Sequence, residues 1–358
     1  LRILAITCQN HAKTNRGMDV ITDYLTKTGA DVTTYVFPIT FRTKRYADNP
    51  QPNHKYAKCL FVNYYERLMG RLMVPLTRSL LSRVIRKSCN IDFDEYDWII
   101  LESGICVALV DVLPEKTFFI YRQSDPVDGI LSKNKYLIEC ERKVLRRANL
   151  VLTVSDAIQQ KYVNEGYDNV KLWKNGFQST HAITWFNPYD TPGTKAVYFG
   201  LYFIDHHLIK QIAEKLPHIE FHIIGPYKDK VKCKNVVFHG WLSLEEYSGY
   251  LQHSDFAIVP YLQHRKNSIF PVTSKMYQFL DHRLPIVALA TDAMISFSRE
   301  TRDVYPCSTP IDFVETIKNL ERLGYPFYDD FELDYFTIPR REEELKMILS
   351  SVKDVHEA

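Results

Sequence analysis

The chain has 358 residues, of which 46% are hydrophobic and 25% charged, and its formal net charge is +2. It is long enough for two α/β domains with substantial cores, and the composition is that of an ordinary soluble protein. Seven cysteines form no CxxC pair and no run of 18 apolar residues occurs, so a zinc site, a disulfide framework and a membrane-spanning helix are all unexpected.

The cysteine usage points to a reducing, cytoplasmic setting. The chain opens on a strand, Leu1 to Thr7, without an initiator methionine, which leaves a trimmed leader open. A polar loop from Cys8 to Arg16 leads to a helix over Met18 to Thr28, closed by Gly29, and then to a strand over Asp31 to Phe37. From Pro38 to Lys87 there are eleven Lys/Arg against Asp48 and Glu66, an excess of +9 that leaves −7 for the rest. Such asymmetry points to a polyanionic partner surface. Apolar residues from Leu60 to Ile85 are threaded through this stretch, flanked by Arg67, Arg71, Arg78, Arg83 and Arg86. It reads as an amphipathic segment in contact with anionic membrane. The alternative is a stripe packed on the sheet with its arginines in water. No nucleic-acid motif accompanies the charge, so no nucleic acid is expected.

Beyond it, Asp92-Phe93-Asp94 reads as a solvated turn. Trp98 to Leu101 is a buried strand ending at Glu102-Ser103-Gly104, and Phe118 to Arg122 is another ending at Gln123-Ser124-Asp125. A helix near Lys135 to Ala148 leads to the strand Leu150 to Val154, after which Ser155 caps a helix through Glu165. Strand and helix in alternation argue a parallel sheet wrapped by helices. Residues 174–194, with two prolines, two glycines and many polar groups, read as a linker between domains.

The second half repeats the plan. Ala196 to Gly200 is a strand, followed by a helical stretch to Leu216, and Ile219 to Gly225 and Asn235 to Gly240 are strands. Asp255 to Tyr261 is a further strand that delivers an aromatic ring to the end where Thr273-Ser274-Lys275 opens a helix. A helix start offers unpaired N–H groups and a positive dipole end, which suit a phosphate, and Lys275 adds a full charge. Gln278 lies a turn further on the same face, where it could bond a sugar hydroxyl. The bland alternative is a capped helix with a solvated lysine. A final amphipathic helix over Arg340 to His356 closes the chain. The histidines, among them His206, His207, His218 and His222, show no metal-ligand pattern and read as surface residues.

The C-terminal series resembles the nucleotide-sugar half of GT-B glycosyltransferases. Several segments together resemble one GT-B family, the xanthan-type β-glucuronosyltransferases (glycosyltransferase family 70). Glu102-Ser103-Gly104-Ile105-Cys106-Val107-Ala108 is similar to its Glu-Ser-Gly-Ile-Ala-Val-Ala, and Tyr121-Arg122-Gln123-Ser124-Asp125 to its Tyr-Arg-Ala-Ser-Asp. Phe221 to Gly225, Ile258 to Tyr261 and the Lys275/Gln278 pair have counterparts too. The likeness runs thinly from about Ile21 to Val287. Departures are Leu201-Tyr202 for Ser-Met, Trp241 for the glutamate beside the uracil, and Arg283 for a glycine.

The resemblance implies an α/β chain of two Rossmann-like domains with parallel sheets facing a central cleft. Residues 1–173 would form the acceptor-binding domain and 195–338 the nucleotide-sugar domain, with 339–358 crossing back to the first. It implies an inverting transfer of a sugar, glucuronate being the family's, from a UDP-sugar to a glycan or lipid-linked glycan acceptor in polysaccharide biosynthesis. Asp125 would be the base, with Glu102 beside it positioning substrate or else capping the next helix. Tyr202, Trp241, Tyr261, Thr273, Ser274, Lys275 and Gln278 would hold the donor. Arg265 and Lys266 could pair with an acidic donor sugar. Lysine and helix dipole would offset the leaving diphosphate's charge, so no metal or cofactor is expected. The enzyme would sit peripherally on the inner face of a membrane. A UDP-sugar epimerase or a non-catalytic glycan- or lipid-binding module on the same fold are the alternatives. No G-x-G-x-x-G follows the first strand, which argues against a dehydrogenase.

Overall fold

The computed structural model describes residues 1–11, 16–39, 47–48, 50–58, 75–130, 134–200, 204–228, 231–262 and 272–356. The chain divides into two compact units, Leu1–Gly176 with Ile338–Ala358, and Phe177–Thr337.

The first unit is a seven-stranded parallel sheet. Its strands are β1 (Arg2–Thr7), β2 (Asp31–Ile39), β3 (His54–Lys58), β4 (Trp98–Glu102), β5 (Phe118–Gln123), β6 (Leu150–Thr153) and β7 (Val170–Leu172), in the order β3-β2-β1-β4-β5-β6-β7. Central strands such as β4 are buried throughout, and β4 is apolar up to its last residue, Glu102, as expected where helices cover both faces. Side chains alternate between the faces. Ile3, Ala5, Ile100, Ile120 and Leu152 meet α1 (Gly17–Lys27), Trp173 and the final helix on one side. Leu4, Ile6, Leu101, Tyr121 and Val151 meet the 3₁₀ run Ile105–Asp111 on the other. That second layer also holds α2 (Pro75–Ser88), α3 (Val127–Ile130), α4 (Lys135–Arg147) and α5 (Asp156–Asn164). Asn134 and Ser155 cap α4 and α5 by accepting the Leu137 and Ile158 N–H groups.

The second unit is a six-stranded parallel sheet. It comprises β8 (Lys195–Phe199), α6 (His206–Lys215), β9 (Glu220–Ile224), β10 (Val236–Gly240), α7 (Leu244–Gln252), β11 (Phe256–Val259), α8 (Ser274–Asp281), β12 (Ile286–Leu289), α9 (Asp292–Phe297), β13 (Val304–Cys307) and α10 (Pro310–Arg322). The strand order is β10-β9-β8-β11-β12-β13. Arg283, where the family pattern has glycine, adopts φ +57 just past α8. Such left-handed residues commonly close helices, and here the Arg283 and Leu284 N–H groups return to Leu280 and Phe279.

Two expectations change. The division falls at Gly176, so residues 177–194 belong to the second unit and are not a free linker. Phe177 is fully buried, and Ser179, Thr180 and His181 all donate to the buried carboxylate of Asp281. The basic stretch also contains a strand that the sequence reading does not anticipate, β3. Arg67 and Arg71 lie outside the described residues, as does most of the apolar stripe. Arg78 falls within α2, whose last turns turn Ile85 into the core and leave Arg83, Arg86 and Lys87 exposed. Of the stripe, Ile85 packs into the core while Val84 is partly exposed. The last helix, α11 (Ile338–His356), belongs to the first unit through Leu345 and Leu349. No helix among the described residues is long and apolar enough to cross a membrane.

Candidate functional site

In an open parallel sheet, ligands gather beyond the C-terminal strand ends where the strand order reverses. In the first unit that point lies between β1 and β4. Thr7 and Glu102 end those two strands, and the Thr7 hydroxyl donates to the buried Glu102 carboxylate. Arg16 Nη1 stands 4.0 Å from the same carboxylate while its Nη2 bonds Asp19 at 2.6 Å. Glu102 therefore does not cap the following helix; Gly104 holds that position with no side-chain bond.

Asp125 lies just past β5. Its backbone N–H and that of Ser124 both donate to Ser103 Oγ, at 3.2 and 3.1 Å. Its half-buried carboxylate accepts no hydrogen bond among the described residues. Burial pushes that carboxyl above its usual range, Glu102 adds to the rise, and Arg122 opposes it. Arg122 is fully buried. It donates to Leu152 O, Trp173 O and Asn175 Oδ1 at 3.3, 3.2 and 2.8 Å and lies over the Trp173 ring. Burial pushes its guanidinium down to about 9, so it stays charged at neutral pH. Gly17 is required beside it, because a Cβ there would stand 2.6 Å from Arg122 Nη2. The result is a carboxylate with a free face and a raised proton affinity, backed by a fixed cation. Such a group suits a general base.

In the second unit the strand order reverses between β8 and β11, and Lys275 sits there in the first turn of α8. It is 9% exposed, so the solvated-lysine reading fails. Its Nζ donates to Tyr198 OH at 3.2 Å and lies 4.8 and 5.1 Å from the ring centres of Tyr198 and Tyr261. No carboxylate pairs with it among the described residues, and burial alone pushes it down to about 7. Gly200 keeps the space beside it open, since a Cβ there would collide with the ammonium, and Gly225 likewise clears the Gly200 carbonyl. Tyr227 OH donates to that carbonyl at 2.8 Å. Thr273 is the N-cap of α8 but makes no capping bond, and its buried Oγ1 has no hydrogen-bond partner among the described residues. Among the described residues, a lysine without a carboxylate partner, an unbonded hydroxyl and a helix N-terminus thus lie at one strand end, a combination that suits an anion.

The other expected donor residues fare differently. Ser274 opens α8 half-buried. Tyr261 is half-buried beside Lys275 as anticipated, and Trp241, directly after β10, is 67% exposed. Gln278 is buried and gives its amide to Tyr247 OH at 3.2 Å, which commits it inside the unit. Tyr202, Arg265 and Lys266 lie outside the described residues. His222 is a correction. It is buried, 2.9 Å from His239 Nε2, and burial pushes it down to about 4. Sequence reasoning missed Tyr198, Tyr227 and Thr7. A Gly-x-Tyr at 225–227 and a hydroxyl at the end of the first strand were the signals available.

No family model matches the chain. The UDP-glucuronate:glycolipid 2-beta-glucuronosyltransferase of Xanthomonas campestris pv. campestris is 27% identical over 180 residues, 47% of this chain and 42% of the relative. The chain thus spans under half of that relative's length. The crystal structure of Anabaena HepE in complex with UDP-glucose is similar with a TM-score of 0.67 at 13% identity, covering 98% of this chain and 99% of that one. The calicheamicin glycosyltransferase CalG4 gives 0.54 at 12% identity, covering 98% of each. A UDP-N-acetylglucosamine 2-epimerase gives 0.55 at 11%, covering 91% of this chain and 89% of its own. The fold is GT-B, shared by glycosyltransferases and epimerases.

Proposed function

We propose that the chain is an inverting, metal-independent glycosyltransferase of the xanthan-type family (glycosyltransferase family 70). It moves glucuronate from UDP-glucuronate to a hydroxyl of a lipid-linked glycan, at the inner face of a membrane, in polysaccharide biosynthesis. The observation that carries the reading is Lys275, a buried lysine at a strand end with no counter-charge among the described residues. A diphosphate supplies the missing charge. Thr273 and Ser274 add hydroxyl donors and α8 its dipole, so charge on the leaving UDP is offset without a metal. The glucuronosyltransferase relative supports the donor and the glycolipid acceptor, and the HepE complex supports UDP-sugar binding.

The second unit holds the nucleotide and the first supplies the base. Asp125 takes the proton from the acceptor hydroxyl as that oxygen attacks the anomeric carbon, a role worth on the order of 10²–10⁴-fold. The test is a thermal-shift panel of UDP-glucuronate, UDP-glucose, UDP-N-acetylglucosamine, GDP-mannose and uridine. A donor at 100 times its dissociation constant stabilises by about 2.7 kcal/mol. No shift with any UDP-sugar refutes the reading. The epimerase likeness gives one rival. Radiolabelled UDP-glucuronate separates the two, because an epimerase converts it without acceptor and a transferase passes the label to glycolipid.

A further inference from the structure

The loop that presents Asp125 is held at both ends, and the second clamp lies outside the motifs that point to the base. On one side Ser103 Oγ receives the Ser124 and Asp125 N–H groups. On the other, Glu141 of α4 reaches across to Val127, the first residue of α3. The Val127 N–H is shared between Glu141 Oε1 and Oε2, both at 3.2 Å. Tyr121 OH, rising from β5, donates to Oε1 at 2.8 Å. Glu141 is 5% exposed and sits in a helix, where a glutamate ordinarily faces water.

We propose that Glu141 is a positioning residue for Asp125. Its ionised carboxylate pins the segment from Ser124 to Val127, and its protonation releases that segment and slows transfer. The proposal rests on the reading of Asp125 as the base. A carboxylate can take one N–H on both oxygens because both are acceptors. Protonated at Oε2, the side chain leaves the Val127 N–H with Oε1 alone, which already accepts the Tyr121 hydroxyl, and both bonds then end on a neutral oxygen in place of a carboxylate. Exchanging two charge-assisted acceptors for one neutral acceptor weakens the hold on the loop.

The surrounding charges set where that happens. Burial pushes Glu141 up to about 7; the bonds from Tyr121 and Val127 oppose the rise, as does Lys161, while Asp128 adds to it. Asp128, on α3, is itself paired to Lys161 of α5 at 2.7 Å. Tyr162, also on α5, is buried with no partner for its hydroxyl among the described residues, and burial raises its own ionisation far beyond the neutral range. From the 3₁₀ run, Asp111 is taken by Lys143, and Cys106 bonds Phe37 O. The clamp is therefore tight above about pH 7 and weakened below it.

The experiment measures UDP release from UDP-glucuronate with water as acceptor, between pH 5.5 and 8.5, for the wild type, Glu141→Gln, Tyr121→Phe and Asp125→Asn. Glutamine keeps the size of the side chain but offers one acceptor and does not titrate. Glu141→Gln should lose about tenfold or more in kcat at pH 8, since a small misplacement of a reacting group has that scale of effect. It should also lose the fall in rate that the wild type shows between pH 8 and 6, with UDP affinity unchanged. Tyr121→Phe removes a bond that favours the carboxylate, so its acid limb should move to higher pH. Hydrogen exchange on the peptide covering Ser124 to Ile130 should show protection lost in Glu141→Gln at pH 8 and lost in the wild type at pH 6. A Glu141→Gln profile that superimposes on the wild type, or unchanged exchange in that peptide, overturns the proposal. Full activity in Asp125→Asn overturns the base assignment beneath it. The two failures are distinct, because the first leaves Asp125→Asn inactive.

Discussion

With Lys275 on the diphosphate, as proposed above, UDP binding should be a proton-uptake reaction. Lys275 is pushed from the usual value of 10.5 to about 7 by burial alone, and a diphosphate beside it must raise it again. The charged form is the one that binds, so affinity is fully present below pH 7 and is lost as pH rises above it. About a quarter of the free protein carries the ammonium at pH 7.5 and roughly 3% at pH 8.5, so UDP affinity should fall about eightfold, or ~1.2 kcal/mol, between the two. A terminal phosphate ionises near pH 6, so UDP itself hardly titrates in that window. Calorimetry at pH 8 in phosphate and in Tris should show uptake of about 0.9 proton per UDP, falling toward zero near pH 6. Uridine, lacking the diphosphate, should bind with no such dependence. Lys275→Ala should weaken UDP far more than uridine and flatten the pH response. Equal UDP affinity at pH 7.5 and 8.5 with no proton uptake would refute the reasoning, as would equal losses for UDP and uridine in the variant.

Asp125→Asn should retain less than about a tenth of the wild-type rate with UDP affinity unchanged by calorimetry, because the base acts on the acceptor. EDTA should leave the rate of UDP release as it was; a loss restored by added Mg²⁺ or Mn²⁺ would show that lysine and helix dipole do not suffice. Sedimentation with acidic liposomes should weaken as salt rises, since the attraction is screened over about 8 Å at physiological ionic strength. Arg67, Arg71 and Arg78 changed together to glutamine should cost about 3 kcal/mol of that binding, roughly a hundredfold in partitioning. Sedimentation of the triple variant like the wild type would assign the whole stripe to core packing.

What the sequence discloses depends on how far apart the cooperating residues lie. Central strands such as β4 and β11 announce themselves because both faces are covered, which forces an apolar run. Strands β3 and β7 are sheet edges. Edge strands can keep lysine and histidine, as His54–Lys58 does, and their pattern then merges with loop. Residues 177–194 read as linker for a related reason. Composition registers serine, threonine and histidine as polar without revealing that Asp281, about a hundred positions away, takes the hydrogen bonds of Ser179, Thr180 and His181. The candidate site divides the same way. Lys275 is legible because its meaning is local, a lysine at a helix start. Its loss of solvent is not, because Tyr198 stands 77 positions away and reaches it only through the strand crossover between β8 and β11. Glu141 is the extreme case. In Ile138-Glu139-Cys140-Glu141-Arg142-Lys143 it is one charge among several on a helix that any periodicity argument turns toward water. Of those charges only Glu141 is buried, because the loop after Asp125 brings an N–H to that face of α4. A residue whose burial depends on bonds from other segments, here the Val127 N–H and the Tyr121 hydroxyl, leaves no periodic trace and becomes visible only once the chain is folded.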